Sequence, residues 1–95
     1  MKNFKNKRFK IIKDVAISNT GDSSVLLHLK SGIYFELNEV AMSIVDNLKD
    51  FTDIKKINKV VLDNFDITEA ECEKDVNLFL YNLIERNLLE IDEKD

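Results

Sequence analysis

Residues 32–41 read Gly32-Ile33-Tyr34-Phe35-Glu36-Leu37-Asn38-Glu39-Val40-Ala41, and the apolar period changes within this stretch. Residues 33–37 form a short extended run, and the glycine before them takes the positive φ of a tight hairpin turn at little cost. From Val40 onward apolar residues recur at helical spacing, which predicts a helix of about three turns with Asn38 as its N-cap. The chain is therefore expected to change from sheet to helices at Asn38.

Two further strands are predicted before this stretch. The odd-numbered positions of residues 9–17 are apolar except Lys13, which predicts one continuous strand. The next strand, residues 24–30, alternates two sets of side chains, and the set that contains His28 is expected to face outward. These two sets are Val25, Leu27 and Leu29 against Leu26, His28 and Lys30. With the turn residues at 19–22, the first third of the chain is predicted to be a three-stranded antiparallel meander.

Two more helices are predicted after the first. Thr52 or Asp53 caps the second helix, and Thr68 with Glu71 makes a capping box at the start of the third and longest. Asn87 suits the left-handed position that ends a helix, and a short extended piece follows it. The predicted fold class is α+β, a three-stranded antiparallel sheet followed by three helices, which also describes a winged helix-turn-helix-like domain.

Length and composition limit the chain to one small domain. It has 95 residues, of which 44% are hydrophobic and 34% charged, and a chain of this size forms a single core. The sequence shows no apolar run long enough to cross a membrane and no secretory signal. A single cysteine in a small domain is typical of a reducing compartment, so a cytoplasmic location is expected. The predicted organisation is a basic arm at residues 1–8 and one domain at residues 9–92.

Charge is unevenly distributed along the chain. Six of the 14 basic residues precede Asp14, the first acidic one, and the net charge of the whole chain is -4. A basic arm can steer an acidic partner, or it can simply solubilise the terminus. The acidic remainder argues against binding to a phosphate backbone.

The sequence lacks the residues of a catalytic or metal site. His28 is the only histidine and Cys72 the only cysteine, and no spacing offers the three or four ligands that a metal requires. Both are interpreted as structural residues, His28 on a strand and Cys72 as a small apolar residue on a helix. The chain has no glycine-rich phosphate loop. No catalytic residue, no metal and no cofactor is therefore predicted.

The start of the third helix argues against DNA recognition. In a helix-turn-helix protein these residues would enter the major groove. Here they include Glu69, Glu71, Glu73 and Asp75, with Lys74 as the only cation among them. These carboxylates would repel phosphates, so no nucleic-acid partner is expected.

Two segments resemble the signature of the PqqD-like peptide chaperones. The first is the stretch at residues 32–41, with a glycine, two aromatics, Leu-Asn and a small residue before a helix, followed by Ile44 and Leu48. The second includes Phe65-Asp66-Ile67, Asp75-Val76, Phe79-Leu80, Leu83 and Leu88-Leu89. The similarity covers about residues 25–90. Asn87 stands where the family usually has glycine, and the basic arm has no counterpart in the family.

The resemblance implies a non-catalytic RiPP recognition element, a domain that binds the leader segment of a ribosomally made precursor peptide and delivers it to a modifying enzyme. Lasso-peptide pathways, with a leader peptidase as partner, fit best, and radical S-adenosylmethionine enzymes come next. The alternatives are a small helix-turn-helix regulator of DNA and a protein-interaction domain that binds no leader. An edge strand would also permit two copies to pair as a homodimer.

The expected mode of binding is β-strand addition, in which an extended peptide pairs with the exposed edge of the sheet. The expected cleft lies between the third strand and the long helix. Its candidate peptide-binding residues are Ile33, Tyr34, Phe35, Glu36, Asp75, Val76, Phe79, Leu80, Leu83 and Arg86. At least half of the apolar ones on the helix are expected to be buried in the core.

Overall fold

A computed structural model describes residues 4–21 and 23–93, and it contains two three-stranded antiparallel sheets and three helices. The strands are β1 (Lys7–Ile11), β2 (Val15–Asn19), β3 (Ser24–His28), β4 (Tyr34–Leu37), β5 (Thr52–Asp53) and β6 (Leu89–Glu93). The helices are α1 (Glu39–Asp46), α2 (Ile54–Asn64) and α3 (Glu69–Glu85). The predicted α+β class and the order of three antiparallel strands before three helices are confirmed. No helix in the described ranges is both long and apolar enough to span a membrane.

The predicted strand at residues 9–17 is in fact two strands in two different sheets. We call β2–β3–β4 the meander sheet and β5–β1–β6 the terminal sheet. In a single straight strand Lys13 would point to the same side as its apolar neighbours, and its ammonium would have to enter the core. The break between β1 and β2 leaves Lys13 exposed instead.

The domain begins earlier than the predicted boundary at Phe9. Phe4 is buried and packs edge-on against Phe9, with ring centroids 5.4 Å apart. Lys7 and Arg8 already belong to β1. Most of the predicted basic arm is therefore part of the fold, and its first three residues lie outside the described ones, as does Asp22 of the predicted turn.

The side chains of β3 that were predicted to face outward face the core instead. Leu26 is fully buried and lies opposite Ile17 of β2 and Phe35 of β4. His28 shares this inner face, although its Nδ1 lies 2.8 Å from the Ser31 hydroxyl at the open end of the hairpin. The reversal follows from the partners, because Leu27 and its neighbours on the other face lie opposite exposed residues of β2 and β4.

The predicted helix starts are confirmed by their capping hydrogen bonds. Side chains of Asn38, Asp53 and Thr68 accept the backbone N–H of the residue three positions later, at 2.8, 3.0 and 3.1 Å. Asn87 has φ of 58°, the left-handed conformation predicted for it, and the next residue, Leu88, is fully buried. The third helix thus ends in a turn that directs the chain into β6.

One core joins both sheets to the helices. Its fully buried side chains come from β1, β3, all three helices and the turns after α1 and before β6. They are Phe9, Leu26, Ile44, Val45, Leu48, Ile57, Val61, Cys72, Val76, Leu80 and Leu88. The long helix α3 contributes Val76 and Leu80 to this core, so its position relative to β4 is fixed by packing.

Candidate functional site

The outer edge of β4 is open. The meander sheet has the order β2–β3–β4, and within residues 4–21 and 23–93 only β3 pairs with β4. The His28 N–H donates to the Ile33 carbonyl at 2.8 Å, and backbone bonding alternates along an antiparallel pair. Phe35 and Leu37 therefore also bond toward β3. The N–H and C=O groups of Tyr34 and Glu36 point away from the sheet, where an added strand can bond to them.

An aromatic–cation stack lies on the inner face of this edge. Phe35 is half-buried, and the guanidinium carbon of Arg86 lies 4.9 Å from the centre of its ring. Arg86 follows the last residue of α3 as its C-cap. The C-terminal end of the long helix therefore covers the ring of the edge strand, as the predicted cleft between these two elements requires.

A pocket of about 280 Å³ lies between α1 and α3, next to the end of β4. Asn38, which directly follows β4, forms one side of it with Val40, Ala41 and Ile44. The lining residues from α3 are Asp75, Leu78, Phe79 and Asn82. Asp75, Phe79, Asn82 and Arg86 follow one another at spacings of four, three and four residues, so one flank of α3 faces both the pocket and the stack.

The structure divides the predicted site residues into two groups. Val76, Leu80 and Leu83 have at most 2% of their surface exposed and belong to the core, because they lie on the flank of α3 that packs inward. The other seven have accessible surface. They are Ile33, Tyr34, Phe35, Glu36, Asp75, Phe79 and Arg86. The open edge, the stack and the pocket together are called the β4–α3 cleft below.

Sequence reasoning missed several lining residues of the cleft. Asn38 and Val40 were assigned only to the start of a helix, and Leu78 and Asn82 were not singled out. Asn82 had a usable signal, since it lies three residues after Phe79 and four before Arg86 and therefore shares their flank. The pocket wall from α1 had no such signal, because it depends on how the two helices pack.

The charges at the cleft are mixed, and the Cys72 thiol is not activated as a nucleophile. Glu36 and Asp75 are exposed carboxylates at its rim, and Arg86 is an exposed cation. Burial raises the pKa of the Cys72 thiol, and the nearby Asp75 and Glu73 raise it further. A thiol with a raised pKa is protonated near pH 7 and is a poor nucleophile. Nowhere in the two described ranges do three His, Cys, Asp or Glu side chains gather as a metal site.

A second, larger groove of about 710 Å³ lies on another flank of α3. Its wall includes Phe4 and the helix positions Ala70, Lys74, Asn77 and Tyr81. These four helix positions also follow one another at spacings of four, three and four, but they are offset from the cleft flank by more than a third of a helical turn. The two depressions therefore face different directions, although Leu78 lines both of them.

Comparisons with known proteins agree with this architecture. The family model described as "Coenzyme PQQ synthesis protein D (PqqD)" matches residues 23–89. The chain is similar to a solved structure described as "TbiB1 in Complex with the TbiA(beta) Leader Peptide", at 31% identity and a TM-score of 0.74, over 85% of this chain and 94% of that one.

A second solved structure shares the fold. It is described as "Lasso peptide synthetase B1 complexed with the leader peptide", with 23% identity and a TM-score of 0.73, over 86% of this chain and 96% of that chain. None of the curated proteins matches this sequence.

Proposed function

This chain belongs to the PqqD family, and on that premise we propose that it is a non-catalytic module that binds the leader segment of a ribosomally made precursor peptide. The leader adds as a strand to β4 and places its inward side chains in the β4–α3 cleft. The module then delivers the precursor to a modifying enzyme. The similarity to TbiB1, a protein solved with a leader peptide, supports leader binding. In this proposal the pathway is of the lasso type and the modifying enzyme is a leader peptidase.

The observation that carries the proposal is the open backbone edge beside an apolar wall. Tyr34 and Glu36 offer two N–H and two C=O groups in the spacing of a strand. Backbone bonds of this kind give affinity with little demand on sequence, and adjacent pockets supply specificity. The pocket lined by Phe79 and Ala41 lies at the end of the same strand.

The exposed charges of α3 favour this function over DNA binding. Glu69, Glu71, Glu73 and Asp75 at the start of the helix are all exposed. A recognition helix with this charge would be repelled by phosphates. A peptide strand, in contrast, needs only the backbone edge and the cleft.

Proline substitution at the two edges of the meander sheet tests strand addition. Glu36→Pro removes an N–H that points out of the sheet, and proline is tolerated at such edge positions. The probe is the tightest binder selected from a library of randomised linear peptides displayed against the wild-type chain. We expect Glu36→Pro to stay folded by circular dichroism and to bind this peptide at least about tenfold more weakly, because a backbone bond is lost and the edge is distorted.

The matched control lies on the opposite edge. The Leu29 N–H donates to the Asp14 carbonyl at 2.8 Å, so alternation turns the N–H of Asn19 in β2 outward as well. Asn19→Pro should leave the affinity unchanged, and Glu36→Gln should separate the loss of charge from the loss of the N–H. Unchanged affinity in a folded Glu36→Pro protein, or failure of the wild-type chain to enrich any peptide, would contradict the proposal.

A further inference from the structure

The two arginines of the chain have different surroundings. Arg8 forms an ion pair with Asp92 across β1 and β6. Among residues 4–21 and 23–93, Arg86 has no carboxylate within 4.0 Å, and the only hydrogen bond of its guanidinium goes from Nη1 to the Asn82 carbonyl at a long 3.4 Å. Arg86 is nevertheless held in place by its stack on Phe35. Within the described part of the chain, Arg86 is therefore an oriented cation without a counter-ion at the binding edge.

The geometry of β4 defines which residue of an added strand meets this cation. Side chains opposite each other on neighbouring strands lie on the same face of the sheet. The leader residue opposite Phe35 therefore points to the inner face, whether the leader runs parallel or antiparallel to β4. Its Cβ would lie about 4.5–5.5 Å from that of Phe35. The guanidinium that covers the Phe35 ring is within reach of a carboxylate at this position.

We propose that the leader recognised by this chain carries Asp or Glu at the position opposite Phe35, and that Arg86 binds this carboxylate. The inference rests on the proposed function and specifies the chemistry of its ligand. A guanidinium held over an aromatic ring keeps N–H donors in the fork that suits a carboxylate. Because stacking already orders the side chain, less entropy is lost when the contact forms.

Neighbouring charges restrict the acidic preference to one position. Tyr34 and Glu36 lie on the outer face, so a leader residue opposite Glu36 meets a carboxylate and is expected to be neutral or basic. Asp75 at the rim of the pocket disfavours an acid there as well. The leader segment is therefore predicted to carry one acid on its inward side and a residue that is not acidic opposite Glu36.

Peptide selection with three versions of the chain tests the inference. The same randomised library is displayed against wild type, Arg86→Gln and Lys74→Gln. Lys74→Gln is the matched control, because it changes the net charge equally but lies at the groove on the other flank of α3. We expect wild type and Lys74→Gln to enrich Asp or Glu at one position and Arg86→Gln to lose this preference only.

A double-mutant cycle then measures the contact itself. The selected peptide and its acid-to-amide variant are titrated against wild type and Arg86→Gln. We expect the acidic peptide to bind wild type about tenfold or more tightly than Arg86→Gln, and the amide variant to bind both about equally, since hydrogen bonds between charged groups contribute more than neutral ones. Nuclear Overhauser contacts should join the acidic residue to the Phe35 ring.

The outcomes separate this inference from the proposed function. If wild type enriches peptides without an acidic position, or if Arg86→Gln keeps the preference, the role of Arg86 is wrong and leader binding stands. If wild type enriches no peptide, leader binding itself is wrong. Arg86→Lys adds a second test, because it keeps the charge without the planar guanidinium and should retain only part of the preference.

Discussion

The terminal sheet and the meander sheet have the same number of strands but are built from different parts of the chain. The terminal sheet joins segments near both chain ends, at residues 7–11 and 89–93, with the short β5 from the middle. The meander sheet comes from one continuous segment, residues 15–37. The first sheet therefore closes the domain, and the second is a local hairpin structure attached to the same core.

The two sheets also differ in the contacts that their exposed side chains make. On the terminal sheet, ion pairs join Lys7 to Glu93 and Arg8 to Asp92, and the ring of Phe51 lies beneath cations of β1. On the meander sheet, the hairpin and edge leave Ile33 and Tyr34 more than half exposed. The terminal sheet thus uses its exposed charges for contacts between its own strands, although the Arg8 Nε lacks a partner among the described residues. The meander sheet instead leaves large apolar side chains exposed beside the open edge of β4.

The largest loss of stability is expected when the main core residue that the terminal sheet contributes, Phe9, is replaced. Phe9 is fully buried and contacts Phe4 edge-on. Phe9→Ala should lower the free energy of unfolding by about 3–5 kcal/mol, measured by urea denaturation. Peptide affinity, measured on the milder Phe9→Leu variant, should be unchanged. A cost below about 1 kcal/mol would contradict the closing role of this sheet.

Phe79→Ala should separate binding from folding. Phe79 is only half-buried and lines the pocket beside β4, so its removal should cost about 1–2 kcal/mol, less than a fully buried phenylalanine. Affinity for the selected peptide should fall about tenfold, since an apolar wall of the pocket is lost. A stability loss as large as that of Phe9→Ala with unchanged affinity would assign Phe79 to the core.

The features of the fold that neighbouring residues determine could be predicted from the sequence. The N-caps at Asn38, Asp53 and Thr68 and the left-handed Asn87 are each determined by a few neighbouring residues. The open edge of β4 follows from the hairpin before it and the helix directly after it. These features were predicted correctly because they require no knowledge of distant contacts.

The terminal sheet was not predicted, because its pairing joins residues far apart in the sequence. The register of Phe9 with Ile91 and of Arg8 with Asp92 spans almost the whole chain, and alternation alone does not identify a partner strand. Lys13 was the one local sign that residues 9–17 cannot be one strand. The stack of Arg86 on Phe35 was also hidden, since it depends on where α3 ends relative to β4.

The ion pair of Arg8 with Asp92 should contribute little to stability. Both side chains are 43% exposed, and pairs of this kind typically contribute about 0.2–1 kcal/mol. Asp92→Asn should lower the free energy of unfolding by that amount at low salt, and the difference from wild type should shrink at high ionic strength. A larger cost that does not respond to salt would show that the pair is effectively buried. Peptide affinity should not change, because Asp92 lies in the other sheet.

The smallest effect concerns Cys72, which lies in the helical layer that supports both sheets. Burial raises the pKa of its thiol, so above about pH 8.5 the unfolded chain loses the thiol proton while the folded chain keeps it. Unfolding then releases a proton, and the stability of the wild type falls as pH rises. Cys72→Ala lacks this effect, so its stability deficit relative to wild type should shrink as the pH rises from 7 to 8.5.

Hydrogen exchange should show whether the two sheets lose stability equally as the pH rises. Cys72 contributes to the common core, so the most protected amides of β1 and β3 should lose protection equally on going to high pH, and Cys72→Ala should reduce the loss equally in both strands. A pH-dependent loss confined to the meander sheet would mean that this sheet opens without the rest of the domain. A deficit of Cys72→Ala that stays constant or grows with pH would instead show that the thiol ionises in the folded protein.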